Sequence, residues 1–495
     1  MNIILILVLF LAAFIIVKLF ILPYKLHKKY KKYGQGQFVP ILGEILEFQQ
    51  NLQKNQDMEY SLKHQLDKDP YQKVYVTNIG PYIKLRIFEP EIIRDFFQNQ
   101  HNYKKFEFFT GNLMRFVNGI ITAEGQDWKS SRKLFSQAFH FDYIQKLAPL
   151  IEKSTNTIID EIIAKNELQN FNSITCMQEL TGRVVIASFF GESLENERLK
   201  GRTIVETLSY ILNALARQTG TLIYLIFGKK FFQLGLTKHS REINQLIEEF
   251  NSFLQNKIAS KIEEIQNDIK QNGNTSNFSI LAQLVSTSQI DQISRQQLFE
   301  DFKAFYLAGM DTTGHLLGMT MYYLTQYKDV YSKLQQEIDT NQDQSIQCIS
   351  QLPYLNAVIK ESLRYYGPAN ILFDRIATSD HVIGGIPIKK GMIITPFAIS
   401  MHRNQNIFEN PHAYNPSRWL DKKISEINSF SYIPFSSGQR NCIGQHLAQM
   451  QTKIILNKFI KKFNFSCPEN YKLVMAFKFL SEPVDPLCLK LTLRQ

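Results

Sequence analysis

The chain has 495 residues, 44% of them hydrophobic and 20% charged, with 23 Gly, 16 Pro and five scattered Cys. That composition excludes wholesale disorder, a collagen-like repeat and a disulfide-stapled miniprotein, and the length allows a core large enough to enclose a cofactor. Formal net charge is +11, but Lys18, Lys25, Lys28, Lys29, Lys31 and Lys32 supply more than half of it, so the rest is mildly basic and does not read as a nucleic-acid binder.

Ile3 to Val17 is an unbroken apolar run, extended by Leu19 to Leu22 and stopped at Pro23. Twenty helical residues span about 30 Å, the hydrocarbon thickness of a bilayer. The run reads as a transmembrane signal-anchor over 1–22. A cleaved secretory signal is the alternative, disfavoured by the length of the run and the lack of a small-x-small cleavage site. The basic stretch Lys25-Leu-His-Lys-Lys-Tyr-Lys-Lys32 favours a cytosolic downstream side. Residues 23–43 read as a basic linker ending in a Gly/Pro turn region, with one folded body over 44–495.

Within that body, Lys73–Ile79 and Ile83–Phe88 are β-prone, and the spacing predicts helices from about Glu91 to Thr340, broken by a solvated loop at 271–279. Ile204–Leu236 is unusually apolar, either helix core or a lid dipping into a membrane. Ser294-Arg-Gln-Gln297 opens a buried helix reaching about Tyr327, and Ala308-Gly-Met-Asp-Thr-Thr313 sits in its middle. Polar side chains there are costly without partners or a function. A further helix ends at Gly367-Pro368 and carries Glu361 and Arg364 on one face. Strand-like pieces follow at Ile371–Ile376 and His381–Ile394, with Gly384-Gly385 as a hairpin signal. A long irregular segment, Asn404–Ser437, precedes a last helix from about Cys442 to Lys462.

The five cysteines form no CxxC pair, the pattern of a reducing compartment. Cys442 is delivered to a helix start by Phe435-Ser-Ser-Gly-Gln-Arg-Asn-Cys-Ile-Gly444, where the positive helix end favours the thiolate, the form a borderline metal binds.

That loop, together with Trp128-Lys-Ser-Ser-Arg132, Ala308-Gly-Met-Asp-Thr-Thr313, Glu361-Ser-Leu-Arg364 and Pro416-Ser-Arg-Trp419 in the same order, resembles the cytochrome P-450 superfamily of haem-thiolate monooxygenases over essentially the whole chain. The resemblance implies a mainly α fold with a minor β portion, the cytochrome P-450 fold, behind a single N-terminal transmembrane helix, with 44–495 as the haem-thiolate catalytic domain. It implies haem b with Cys442 as axial thiolate and Phe435 packed near the sulfur. Trp128, Arg132, Arg440 and Arg375 would meet the haem propionates, and Ala308 and Gly309 would border the haem face. Thr312 would bond the oxygen species or a nearby water, and Asp311 would relay protons. Glu361, Arg364 and Arg418 would form a structural network. Phe106, Phe108, Phe109, Phe116, Phe305, Ala369, Phe373 and Phe477 would line the substrate pocket.

The activity implied is insertion of one oxygen atom from O2 into a lipophilic substrate at the endoplasmic reticulum membrane. No Gly-x-Gly-x-x-Gly fingerprint follows a strand, so electrons would come from a separate NADPH–cytochrome P-450 reductase, with cytochrome b5 as a further candidate partner. An O2-independent isomerase or dehydratase acting on a lipid hydroperoxide is the alternative, disfavoured because Asp311 and Thr312 are both present.

Overall fold

The computed structural model describes residues 3–54, 72–107, 111–219, 221–421, 427–477 and 480–494. The apolar N-terminal run forms α1 (Ile3–Ile16) and passes through a wide π turn (Val17–Ile21) into α2 (Leu22–Tyr30). In that turn the Leu22 N–H returns to Val17 O, five residues back, just before Pro23, which has no N–H to give. The proline is therefore absorbed and the helix continues. Leu5–Tyr30 is long and apolar enough to cross a membrane.

The first part of the expected linker is thus helical, and it is docked. Tyr30 is buried and its hydroxyl donates to Pro387 O. His27 Nε2 lies 3.1 Å from Val76 O, and Tyr24 meets Phe38 edge-on at 5.6 Å.

The His27 contact falls on a five-stranded sheet and the Tyr30 contact on a separate hairpin beside it. Strand β1 (Val74–Ile79) pairs antiparallel with β2 (Tyr82–Ile87), Val74 opposite Ile87. Across the sheet, β3 (Tyr103–Lys105) joins β4 (Arg375–Ala377), and β5 (His381–Ile383) with β6 (Ile386–Ile388) form a separate hairpin. Strand β7 (Ile393–Pro396) closes the order β1-β2-β7-β4-β3, parallel to β2 and antiparallel to β4. Gly384 and Gly385 turn the hairpin at φ 52° and 75°, the pair of positive angles a two-residue type I′ turn requires.

A buried ionic knot ties this sheet to the preceding helix, α3 (Glu44–Gln53): the Glu44 carboxylate takes Lys84 and Arg86, the latter at 2.9 Å, and Lys84 reaches Asp374 at 2.8 Å. Burial alone would raise Glu44, but Lys84 and Arg86 outweigh it and hold the carboxyl below its ordinary range.

The helical part supplies α4 (Gly125–Ala138), α5 (Ser173–Phe190), α6 (Leu222–Gln233), α7 (Lys238–Asn272), α8 (Arg295–Gln326), α9 (Pro353–Tyr366) and α10 (Gln445–Lys462). Ser294 caps α8 by accepting from the Gln297 N–H at 3.0 Å, as the sequence predicts. The loop expected from 271 begins instead at Gly273, whose φ of 74° stops α7. The last helix starts three residues after Cys442 because Gly444 is its N-cap. Strands that the sequence reading did not find follow it: Phe463–Ser466 pairs with Cys488–Leu493, and β8 (Met475–Phe477) with β9 (Ser481–Pro483).

Helices α5 and α8 cross closely through small residues. A Cβ on Gly314 would lie 2.5 Å from Gln178 Cα, and one on Gly318 would lie 2.9 Å from Ile174 Cα. Backbone cannot move aside as a side chain can, so Gly314→Ala should cost about 1–3 kcal/mol despite alanine's better helix propensity. Urea unfolding of the variant checks this, and equal or greater stability would mean that the helices separate freely.

Candidate active site

The cysteine loop leaves the irregular segment through two left-handed residues, Ser436 (φ 62°) and Gly438 (φ 69°). Glycine is the natural occupant of such a φ, and the loop is then closed by the Cys442 N–H donating to Phe435 O at 2.9 Å. The Cys442 side chain is accessible to a ligand, with protein atoms packed around it. Burial pushes the thiol up, against the opposing pull of the Gly444 N–H and of Arg132. Burial therefore opposes the thiolate that the helix start and Arg132 favour. A bound metal cation makes the thiolate by displacing the proton.

Beside the thiol stands a group of cations. Arg132 donates to Asn441 O, next to Cys442, at 2.7 Å. Arg440 donates to Ala123 O at 2.8 Å and to Glu124 Oε2 at 2.6 Å, and its guanidinium sits 3.8 Å over the Trp128 ring. Arg375 reaches Glu124 Oε1 at 3.3 Å. Lys105 donates its backbone N–H to the same oxygen at 3.0 Å and its side-chain nitrogen to Ile121 O.

Burial, with Arg375 and Arg440 alongside, pushes Lys105 down to about 6, and burial first of all lowers Arg375 to about 10. Glu124 does not neutralise this set, so two further carboxylates would complete it. A thiol for iron and a cationic cage for two propionates together fit haem b. Sequence reasoning missed Lys105 and Glu124. The available signal was strand alternation, since Tyr103 and Lys105 point inward while Lys104 points out.

On α8, residues 301–307 and 313–324 are buried, whereas Ala308, Gly309, Asp311 and Thr312 are half-buried. The Thr312 hydroxyl donates to Ala308 O at 2.6 Å, a bond to its own helix. Asp311 Oδ1 accepts from Gln178 Nε2 at 2.5 Å. Burial first, then Glu482, pushes the Asp311 carboxyl up to about 7, with Gln178 pulling the other way. Gly309 serves helix packing: a Cβ there would lie 2.6 Å from Val185 Cγ2 on α5, so its missing side chain faces α5.

The predicted ionic network is brought together in full. Arg364 donates Nε and one terminal nitrogen to the Glu361 carboxylate at 2.9 and 2.8 Å, and both residues are fully buried. Arg418 Nε reaches Glu361 Oε1 at 3.2 Å, and the Trp419 indole donates to Oε2 at 2.9 Å. Arg364 also donates to the carbonyls of His402, Pro411 and Ala413. One carboxylate and one guanidinium thereby staple the segment that leads into the cysteine loop.

The aromatic residues predicted for a pocket are dispersed. Phe116 is buried against Phe250 of α7 at 5.5 Å, with Lys303 over its ring. Phe305 packs on Phe135 and Phe139 at 4.5 and 5.0 Å. Phe106 meets Tyr82 at 5.6 Å beside the sheet. Phe373 is exposed, Ala369 half-buried, and Phe435 packs on the main core. Phe108, Phe109 and the side chain of Phe477 lie outside the described residues.

The family model "Cytochrome P450" matches residues 34–487. Among curated relatives, a cytokinin hydroxylase of Arabidopsis thaliana is 28% identical over 422 residues, 81% of this chain and 78% of that protein. Cytochrome P450 4V2 of Mus musculus is 25% identical over 368 residues, covering 70% and 68% of the two chains. Cytochrome P450 4e2 of Drosophila melanogaster is 25% identical over 451 residues, covering 87% and 82%. With the thiol loop, the cation cage and the Glu361 network all inside the matched stretch, the chain belongs to the cytochrome P450 family, as a monooxygenase with haem b bound through a cysteine thiolate.

Proposed function

We propose that this protein is a membrane-anchored enzyme that hydroxylates a lipophilic substrate, with Cys442 as the axial ligand and electrons drawn from a separate NADPH-dependent reductase. The observation that supports it best is the accessible thiol of Cys442 next to a cation set with too few carboxylates. Bound haem supplies O2 activation, and the thiolate ligand favours O–O cleavage. Lys105, Arg132, Arg375 and Arg440, with Trp128, grip its two carboxylates and fix its orientation. Phe435 shields the sulfur. Thr312 can exchange its bond to Ala308 O for one to a group at the site, and Asp311, poised near neutrality, holds and releases a proton there. Two of the relatives carry the name cytokinin hydroxylase, which supports hydroxylation as the reaction class.

The test is reconstitution with NADPH–cytochrome P-450 reductase in lipid vesicles under 18O2, using a panel of fatty acids and sterols. One labelled oxygen per product, dependent on reductase, is expected. Turnover of a lipid hydroperoxide without reductase or O2 would overturn the reading.

Membrane anchoring is supported by the apolar span and by a second apolar surface. Ile226, Phe227, Leu234 and Leu236, on and just after α6, are 69%, 60%, 72% and 59% exposed. A cluster of that kind beside Lys229 and Lys230 suits an interfacial contact with lipid. We place the protein in the endoplasmic reticulum as a single-pass chain with its catalytic domain in the cytosol. The chain carries its own reporter of sidedness: Asn274-Thr-Ser276 is a glycosylation sequon on an exposed turn after Gly273. A cytosolic domain leaves Asn274 unmodified, so endoglycosidase treatment of protein from microsomes should not change its mobility. A shift abolished by Asn274→Gln would put the domain in the lumen.

A further inference from the structure

Asp311 is held by a helix other than its own. The close crossing of α5 and α8 places the backbone of Gln178 against Gly314, one turn beyond Asp311. The same crossing is pinned one turn earlier by the Thr181 hydroxyl donating to Met310 O at 2.7 Å. With both backbones fixed, the Gln178 amide is delivered to Asp311 Oδ1 at 2.5 Å. An amide is a distinctive choice for this place. It donates to a carboxylate as Lys or Arg would, but it brings no charge, so it orients the group without committing it to the ionised form.

Among the described residues, the charged group that acts on Asp311 is Glu482, from the β8–β9 hairpin, which opposes ionisation. His315, one turn further along α8, is buried, and neither ring nitrogen has a hydrogen-bond partner among the described residues. Burial pushes it down to about 4, so it stays neutral through the physiological range.

We propose that Gln178 is a positioning residue for Asp311: its amide holds Oδ1 and leaves Oδ2 as the oxygen that gives up and regains the proton. In the step itself the Oδ2–H bond breaks, the proton passes to an acceptor at the site, and water restores it. No electrons move. This rests on Asp311 serving proton transfer, as proposed above.

The test reads the carboxyl directly. Infrared difference spectra of the full-length, substrate-free ferric protein between pH 5 and 9 should show a protonated-carboxyl band, identified by its loss in Asp311→Asn, with a midpoint near 7. Gln178→Leu removes the donor and should move that midpoint up. Glu482→Gln removes the opposing charge and should move it down. Opposite shifts from two single substitutions are not the signature of general loosening. If Gln178→Leu does not fold, Gln178→Glu should shift the midpoint up by adding a second carboxylate. An unmoved or lowered midpoint in the Gln178 variants overturns the inference. Shifted midpoints with unchanged product formed per NADPH consumed would uphold Gln178 as the positioning residue and overturn instead the proton-transfer role of Asp311.

Discussion

Cys442→Ser is expected to abolish the strongly red-shifted Soret band of the reduced, carbon-monoxide-bound protein and to lower turnover by ~1,000-fold or more, at least about 4 kcal/mol of barrier. The substitution changes one atom, and the bond that closes the loop is made by the Cys442 backbone N–H to Phe435 O, not by the sulfur. The left-handed turn at Ser436 and Gly438 is likewise untouched. The variant should therefore fold, and its thermal midpoint should stay within a few degrees of the parent's. A hydroxyl at this position cannot supply the soft, electron-donating ligand that a thiolate provides. Absorption spectra and product formation, measured on the same preparation, check both halves. A folded, haem-loaded variant that kept the shifted band would remove Cys442 from its assigned place.

The second large effect is expected at Glu361. Glu361→Gln should cost about 3–5 kcal/mol, because Arg364 and Arg418 stay buried beside an amide in place of a carboxylate. A typical domain has ~5–15 kcal/mol in all, so the loss should appear as low yield and a sharply reduced thermal midpoint. Its route to the active site is mechanical. Arg364 also holds the carbonyls of His402, Pro411 and Ala413, which lie on the segment entering the cysteine loop. Arg364→Lys should fail nearly as badly, since an ammonium has three donors on one atom and cannot span the carboxylate and three separated carbonyls. Yield of folded protein and haem bound per chain are the measurements. Near-parental values for both variants would reduce the network to an ornament.

What the sequence allowed to be read, and what it hid, divides along one physical line. Motifs whose members sit within one turn or one loop were legible: Cys442 with Phe435 and Gly438, Glu361 with Arg364, Ser294 with Gln297. Groups joined only by tertiary approach were legible where a family motif marks each member, as with Arg418 and Glu361, and otherwise were not. Glu124 meets Arg375 and Arg440, which lie some hundreds of residues downstream, and nothing local marks it as the acceptor between them. Glu44, Lys84 and Arg86 likewise form one buried knot from two elements.

The aromatic residues carry no local cue to their partners: Phe116 and Phe305 read as pocket lining, and the fold also packs them against Phe250 and Phe135. Gly309 belonged to a recognised motif, yet the contact that explains its missing side chain comes from Val185 on another helix. The C-terminal strands escaped because each is short and its partner lies beyond a turn or a longer excursion.

With the membrane anchoring and the reductase partner proposed above, the uninterrupted passage from α1 through the π turn into a docked α2 has a consequence for how the enzyme sits on lipid. A flexible tether would let the bilayer segment tilt while the body stayed upright. Here segment and body turn together, like a mast stepped into a hull. A thinner bilayer makes a fixed apolar length lean further to bury itself. That lean passes straight to the catalytic domain, changing its height and the angle it presents to a partner diffusing in the same plane. Bilayer thickness thereby becomes a variable of electron delivery, set by lipid composition rather than by any residue near the active site.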